Sequence, residues 1–184
     1  VHEYDALLVV DNTFATPVNQ CPIVLGADFT VQSATKYLGG HSDLTAGVLS
    51  GCVGQLEAIN DWRKNLGQTI STEVAHKLSR SLLTLALRVE RHNFNAQLIA
   101  DYLDTHSKVR KTCYPGLKGH PHHDFIHQQM SGFGGMVSFY IEGDAAMAER
   151  FVDCLNVFAI APSLGGVESL ATQPIYTSHF GLSE

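Results

Sequence analysis

The stretch Ser33-Ala34-Thr35-Lys36-Tyr37-Leu38-Gly39-Gly40-His41-Ser42 concentrates groups that can do chemistry. Lys36 stands just past a segment expected to be a buried strand, flanked by two hydroxyls. A lysine amine drawn out of water has a lowered pKa and can condense with a carbonyl to a Schiff base. Ser33 and Thr35, spaced i and i+2, are expected on one side of an extended chain, where both hydroxyls could donate to a phosphate. Gly39-Gly40 would let the backbone approach a ligand closely.

Asp11 supplies a second part. It closes the apolar run Ala6-Leu7-Leu8-Val9-Val10, at the expected C-terminal end of a strand. Ligands of open parallel α/β sheets bind at that edge. A carboxylate there could pair with a protonated pyridine nitrogen and keep the ring an electron sink, as pyridoxal-phosphate (PLP) chemistry requires. The ordinary alternatives remain: a lysine after a strand is most often solvated, and a strand-end aspartate most often shapes a turn or caps a helix.

The surrounding elements are those of an α/β fold. The run ending at Val10 reads as a strand buried on both faces. Asp28 to Ser33 reads as a second strand, after a connection long enough for a crossover. Ala46 to Ser50 is a third apolar stretch. Residues 53–66 read as a helix. From Thr72 to Leu103, Val74, Leu78, Leu82, Leu85, Val89, Ala96, Ile99 and Leu103 keep helical spacing, with a weakening at 91–95 that suggests two helices. Tyr114 to Pro121 is loop chemistry. Gly135 to Ile141 alternates as a half-buried strand, and Ala145 to Val157 reads as a helix. A boundary between two α/β units is expected near residue 105, giving units 1–105 and 106–184.

Composition narrows the classes. The 184 residues are 45% hydrophobic and 16% charged, a globular balance. A net charge of −6 with no basic run argues against a nucleic-acid partner. No apolar stretch reaches the roughly 18–20 residues of a membrane span, so no membrane partner is expected. Cys21, Cys52, Cys113 and Cys154 form no C-x-x-C pair and read as free thiols of a reducing compartment; the expected location is cytoplasmic, or a plastid if the source is a photosynthetic eukaryote. The chain opens without a methionine or signal peptide, and both ends read as lying inside a longer protein.

Several long segments resemble the Cys/Met-metabolism PLP-dependent enzymes. Asp28 through Ser42 is similar to that family's lysine signature, and Val10-Asp11-Asn12-Thr13-Phe14-Ala15-Thr16-Pro17 to its cofactor-aspartate segment. Thr84 to His92 and Tyr114-Pro115-Gly116-Leu117 are similar to its long helix and interdomain region. Ser163-Leu164-Gly165-Gly166-Val167-Glu168-Ser169-Leu170 is similar to its substrate-loop motif. The resemblance implies a fold-type-I PLP-dependent transferase-like large domain, here its C-terminal part, followed by part of a smaller α/β C-terminal domain. It implies that Lys36 holds the cofactor and shuttles the proton, that Asp11 faces the pyridine nitrogen, and that Ser33 and Thr35 bind the phosphate. Ser163 would contact Lys36 and the substrate carboxylate region, with Glu168 as positional support.

The family's stacking aromatic, its glycine-rich phosphate loop and a tyrosine–arginine pair from a neighbouring subunit belong upstream of Val1. Its carboxylate-binding arginine belongs beyond Glu184. Arg80-Ser81 stands where the family has arginine-glycine.

Two other clusters are weaker. His120, His122, His123 and His127 could suggest a metal, but they fall in a Pro/Gly-rich loop without a clear i, i+4 pair, so no metal is expected. Gly132 to Gly135 precedes a strand and reads as a turn rather than a phosphate loop. Cys113 has no evident base and reads as inert.

The resemblance also implies the reaction. Leu164 stands where bacterial β-lyases tend to carry tryptophan, which favours γ-chemistry. The segments 120–135, 151–153 and 160–163 are most similar to the γ-synthase branch of plants and photosynthetic microbes. The expectation is γ-replacement, an activated homoserine ester plus cysteine giving cystathionine, with γ-elimination as the alternative. The expected partners are small amino-acid substrates, and further copies of the chain in a full-length homo-oligomer. A catalytically inactive fragment or an interaction module is the reading of another class.

Overall fold

The computed structural model describes residues 2–177 and 180–181. A three-stranded sheet carries the N-terminal part, in the order β1 (Val9–Asp11), β2 (Phe29–Ser33), β3 (Gly47–Gly51). β1 and β2 run parallel, with Asp11 opposite Val31, and β3 returns antiparallel with Gly47 opposite Ser33. The β1–β2 connection holds one short helix, α1 (Thr16–Asn19). β1 was expected to be buried on both faces. Among the described residues it pairs on one side only, with β2, and Val9 is 54% exposed. An apolar run of this length reports strand-forming side chains but not the number of neighbours the strand acquires.

Helices follow: α2 (Val53–Asn65), α3 (Thr72–Leu82) and α4 (Leu85–Asp104). Ser71 starts α3 by accepting a hydrogen bond from the Val74 N–H at 3.2 Å, which satisfies one orphan donor of the first turn. The long periodic segment does divide in two, but at Leu83-Thr84 and not at 91–95. Leu82, Leu83 and Leu85 carry the apolar pattern across the break, so periodicity does not register it. The break is held by polar contacts: Thr84 Oγ1 donates to Ser81 O at 3.2 Å and accepts from Arg88 Nε at 3.1 Å.

β4 (Val109–Cys113) pairs antiparallel with β5 (Ser138–Ile141), and α5 (His123–Gln129) lies between them in sequence. β5 begins later than the expected residue 135. The preceding glycines are instead engaged by side chains: Asn93 Oδ1 accepts from Gly134 N and Tyr37 Oη from Gly135 N. α6 (Ala145–Asp153) starts at Asp144, whose carboxylate accepts from Met147 N at 2.9 Å, and stops short of the expected Val157. The parallel pair β6 (Ala159–Ile160) and β7 (Leu170–Ala171) closes the base of the loop between them.

Two cores are buried, and α4 serves both. Leu85 and Val89 pack with Ala34, Tyr37 and Leu38, joined by Leu164 from the distant loop. Ala96 and Ala100, further along the same helix face, pack with Tyr114 and Leu117. Residue 105, where a unit boundary was expected, is the C-cap of α4. Among the described residues no helix is long and apolar enough to cross a membrane.

Candidate active site

β1 and β2 end side by side because they run parallel, so Asp11 and Ser33 reach the same edge of the sheet. Their order is fixed by Thr13. The Thr13 N–H donates to Asp11 Oδ1 at 2.9 Å, closing a turn of the kind aspartate favours, and Thr13 Oγ1 accepts from Ser33 N at 2.8 Å. The Thr13 hydroxyl, and then its N–H, hold the Asp11 carboxyl below the usual carboxylate range, against a smaller opposing effect of burial. Thr13 was missed by the reading of the sequence. The Asp-x-Thr spacing was its signal.

Lys36 follows in a turn. The expected extended run through Thr35 is not formed: β2 stops at Ser33, and Lys36 N donates to Ser33 O at 3.1 Å. Ser33 and Thr35 therefore do not share one face of a strand. Thr35 Oγ1 accepts from Ala46 N at 3.1 Å and sits 3.4 Å from Ala46 O, tying the turn to the start of β3. The Ser33 hydroxyl has no hydrogen-bond partner among the described residues. Of the two predicted phosphate donors, Ser33 is the readier one.

The turn is closed by Gly39 N donating to Ala34 O at 2.8 Å and Gly40 N to Lys36 O at 2.7 Å. The next carbonyls, of Tyr37 and Leu38, are taken by Arg88 of α4, at 2.7 and 3.4 Å. The Tyr37 side chain is 2% exposed. Its ring lies edge-on to His92, with centroids 5.2 Å apart.

The loop between β6 and β7 folds over this turn. Lys36 Nζ donates to Ser163 Oγ at 3.0 Å. Val167 N donates to Gly40 O at 3.1 Å, and the Ser42 hydroxyl donates to Glu168. That bond is the main reason the Glu168 carboxyl lies below its usual range. Gly165 has φ of +78°, and a Cβ there would come within 2.6 Å of Tyr37 N, so the loop needs glycine to lie this close. Ser163 itself holds φ of +99°, a strained backbone for a residue with a side chain. Strain kept beside the Lys36 amine points to a function.

The structure thus brings Lys36 and Ser163 into contact, and sets Asp11 and Ser33 at one sheet edge. The donor set suits PLP: an amine for its carbonyl carbon, an ionised carboxylate for its ring nitrogen, and a hydroxyl for its phosphate.

The histidine cluster needs one correction. His123 and His127 do form an i, i+4 pair, on α5, with ring centroids 4.3 Å apart. His123 Nδ1 lies 3.1 Å from Leu117 O. Among the described residues no group of three or more His, Cys, Asp or Glu could hold a metal ion.

The mixed α/β fold that carries this lysine and this strand-end carboxylate is that of fold-type-I PLP-dependent enzymes. The chain belongs to the Cys/Met metabolism PLP-dependent enzyme family, whose profile matches residues 1–184. It is 45% identical over 183 residues to "Cystathionine gamma-synthase 1, chloroplastic" of Nicotiana tabacum, covering 100% of this chain and 34% of that protein. It is 47% identical over 177 residues to a "Cystathionine beta-lyase" of Lactococcus lactis subsp. cremoris, covering 96% of this chain and 46% of that protein. A crystal structure of cystathionine gamma synthase from Xanthomonas oryzae pv. oryzae, in complex with aminoacrylate and cysteine, superposes with a TM-score of 0.95. It is 41% identical, and the match covers 99% of this chain and 47% of that one. The chain therefore spans about a third to a half of the relatives it matches.

Proposed function

We propose that these residues form the lysine-bearing part of a PLP-dependent enzyme that joins an activated homoserine ester to cysteine by γ-replacement, giving cystathionine. The observation that carries the reading is the Lys36 Nζ–Ser163 Oγ contact, which places a primary amine under the substrate-loop motif. When bound, PLP withdraws electrons from the substrate α-carbon.

The chain's own residues do the rest. Asp11, kept ionised by Thr13, would pair with the ring nitrogen and hold it protonated. Ser33 would donate to the phosphate. Thr35 would contribute only with its hydroxyl proton turned from Ala46 O. Lys36 Nζ removes and returns the substrate proton as a general base and acid, and Ser163 Oγ orients that amine between the two tasks. The loop from Ser163 to Glu168 lies against the Lys36 turn, through Ser163 at the amine and Val167 at Gly40. The division near residue 105 into a cofactor-binding unit and a smaller C-terminal unit belongs to this reading. So does homo-oligomeric assembly of the intact protein. Residence in a plastid or the cytoplasm belongs to it too, the tobacco relative being named chloroplastic.

Leu164 supports γ-chemistry, since its half-buried side chain packs with the Tyr37 core and leaves no aromatic ring in the loop at that position. A second reading, cleavage of cystathionine, is favoured by the Lactococcus relative, which is named a β-lyase. Product analysis with the intact protein separates them. An activated homoserine ester plus cysteine should yield cystathionine, and Lys36→Ala should abolish it. Release from cystathionine of 2-oxobutanoate, by γ-elimination, or of pyruvate, by β-elimination, as the main product would replace the synthase reading by a lyase one. No turnover, with PLP still bound at Lys36, would identify an inactive member.

A further inference from the structure

Arg88 takes no part in the chemistry described above, yet it is the most heavily engaged side chain near Lys36. Its Nη1 donates to Tyr37 O at 2.7 Å, and its Nη2 reaches Leu38 O at 3.4 Å and Ser81 O at 2.9 Å. Its Nε donates to Thr84 Oγ1 at 3.1 Å. No carboxylate pairs with it among the described residues.

The two carbonyls it meets first have a particular need. The Lys36 turn is a single irregular helical turn. Its carbonyls at Ala34 and Lys36 are satisfied from within, by Gly39 and Gly40. Those at Tyr37 and Leu38 have no backbone donor among the described residues. Both residues are buried, at 2% and 5% exposure, so water is a poor substitute. Guanidinium groups are suited to this task, being planar, permanently charged and able to donate in several directions at once. The same group binds Ser81 O in the last turn of α3. One side chain thus closes the ends of two elements and joins both to α4.

Gly40 is shaped around this contact. Its φ is +66°, and a Cβ there would overlap the guanidinium. Gly40 thus admits the arginine, while Gly39 lets the turn close against Ala34 O and Leu44.

We propose that Arg88 is a positioning residue that sets the direction of the Lys36 amine by clamping the carbonyls of Tyr37 and Leu38, with Gly40 as the opening that admits it. The role of Lys36 rests on the PLP reading, but the clamp can be measured without cofactor.

The test uses the intact protein with Arg88→Gln and Arg88→Lys. The control is Leu117→Ala, which damages the second core without touching any group that Arg88 contacts. In apo protein, the labelling rate of Lys36 by an amine-reactive probe is compared with that of the other lysines by mass spectrometry. In the same proteins the dissociation constant of PLP is measured. The expected result is a changed Lys36 reactivity and about tenfold weaker PLP binding in both Arg88 variants, because small displacements of a reacting group are costly. The control should lose thermal stability with neither readout moved. Arg88 variants that follow the control in both readouts would make the residue merely structural and overturn the proposal.

Should Arg88→Gln fail to fold, Gly40→Ala decides through its cycle with Arg88→Lys. The backbone strain at residue 40 is common to both backgrounds, so a smaller effect of Gly40→Ala on Lys36 labelling in Arg88→Lys than in the parent supports the clamp. Equal effects overturn it. Borohydride reduction of the parent with PLP should fix the cofactor on Lys36. Fixation elsewhere would sink the PLP reading while leaving the apo comparison of Arg88 intact.

Discussion

Thr13 and Ser33 are joined by a hydrogen bond that the sheet itself does not make: the Ser33 N–H donates to Thr13 Oγ1 at 2.8 Å. The same threonine holds Asp11, so one hydroxyl connects the strand-end carboxylate to the end of β2.

Thr13→Val should therefore do two things. It leaves the Ser33 N–H without its acceptor, at a cost of about 1–3 kcal/mol by chemical denaturation. It also releases the Asp11 carboxyl toward its ordinary pKa, visible by NMR titration. Asp11 is depressed in the folded state, so its contribution is present above the unfolded value and lost as pH falls through the lower folded one. That acid-side loss should shrink in Thr13→Val and persist in Thr13→Ser.

Ser163 separates strain from function. Ser163→Gly removes the hydroxyl and relaxes the backbone at φ of +99°, while Ser163→Ala removes the hydroxyl and keeps the strain. Residues held in such regions cost about 1–3 kcal/mol, partly offset by the greater freedom of glycine when unfolded. Ser163→Gly should melt at or above the parent temperature, and Ser163→Ala should not. Both should lose catalytic rate, since neither gives Lys36 Nζ its acceptor. Equal melting temperatures for the two variants would rule out a strained loop.

Alkaline stability should depend on Tyr114. It is 1% exposed, its hydroxyl donates to Gly134 O at 3.0 Å, and burial pushes its pKa up to about 12. A group raised in the folded state gives its full contribution below the unfolded value, near 10, and loses it as pH rises through the folded one. Stability should fall by about 2–3 kcal/mol between pH 10 and 12 on this account. Tyr114→Phe should be less stable at pH 8, because Gly134 O loses its donor, yet show a flatter alkaline limb in denaturation curves.

Asn93 and Asn19 exchange side-chain hydrogen bonds, at 2.8 and 3.0 Å, and Asn93 Oδ1 also accepts from Gly134 N at 2.8 Å. Asn93→Ala should cost about 1–3 kcal/mol by urea denaturation, because it strands a glycine N–H in a buried loop. The double variant with Asn19→Ala should cost less than the sum of the singles, as expected for groups in one network.

What could be read in the sequence was local. Asp11 stood out because it ends an apolar run and Lys36 because it follows a strand between hydroxyls and a glycine pair, and β2, α2 and α6 start where the pattern places them to within a residue. Ser163 was reached only through a resemblance, since nothing local marks a serine 127 positions from its partner. Arg88 stayed hidden for a related reason. Its interior position in a helix reads as an ordinary helix former, and its carbonyl partner lies 51 positions away. Asn93 was read as a weak point in the helical pattern. Its polarity serves the glycine loop, and the helix runs through it unbroken.

The neighbours of the Lys36 turn come from α4, from Gly135 and from the Ser163 loop, in that order along the chain. On a ribosome, the lysine is made long before the residues that aim it. Closing such distant contacts is entropically slow compared with forming a local turn. The contacts that orient the amine are thus expected among the last to close in folding, and a nascent chain carries Lys36 before it carries the residues that touch it.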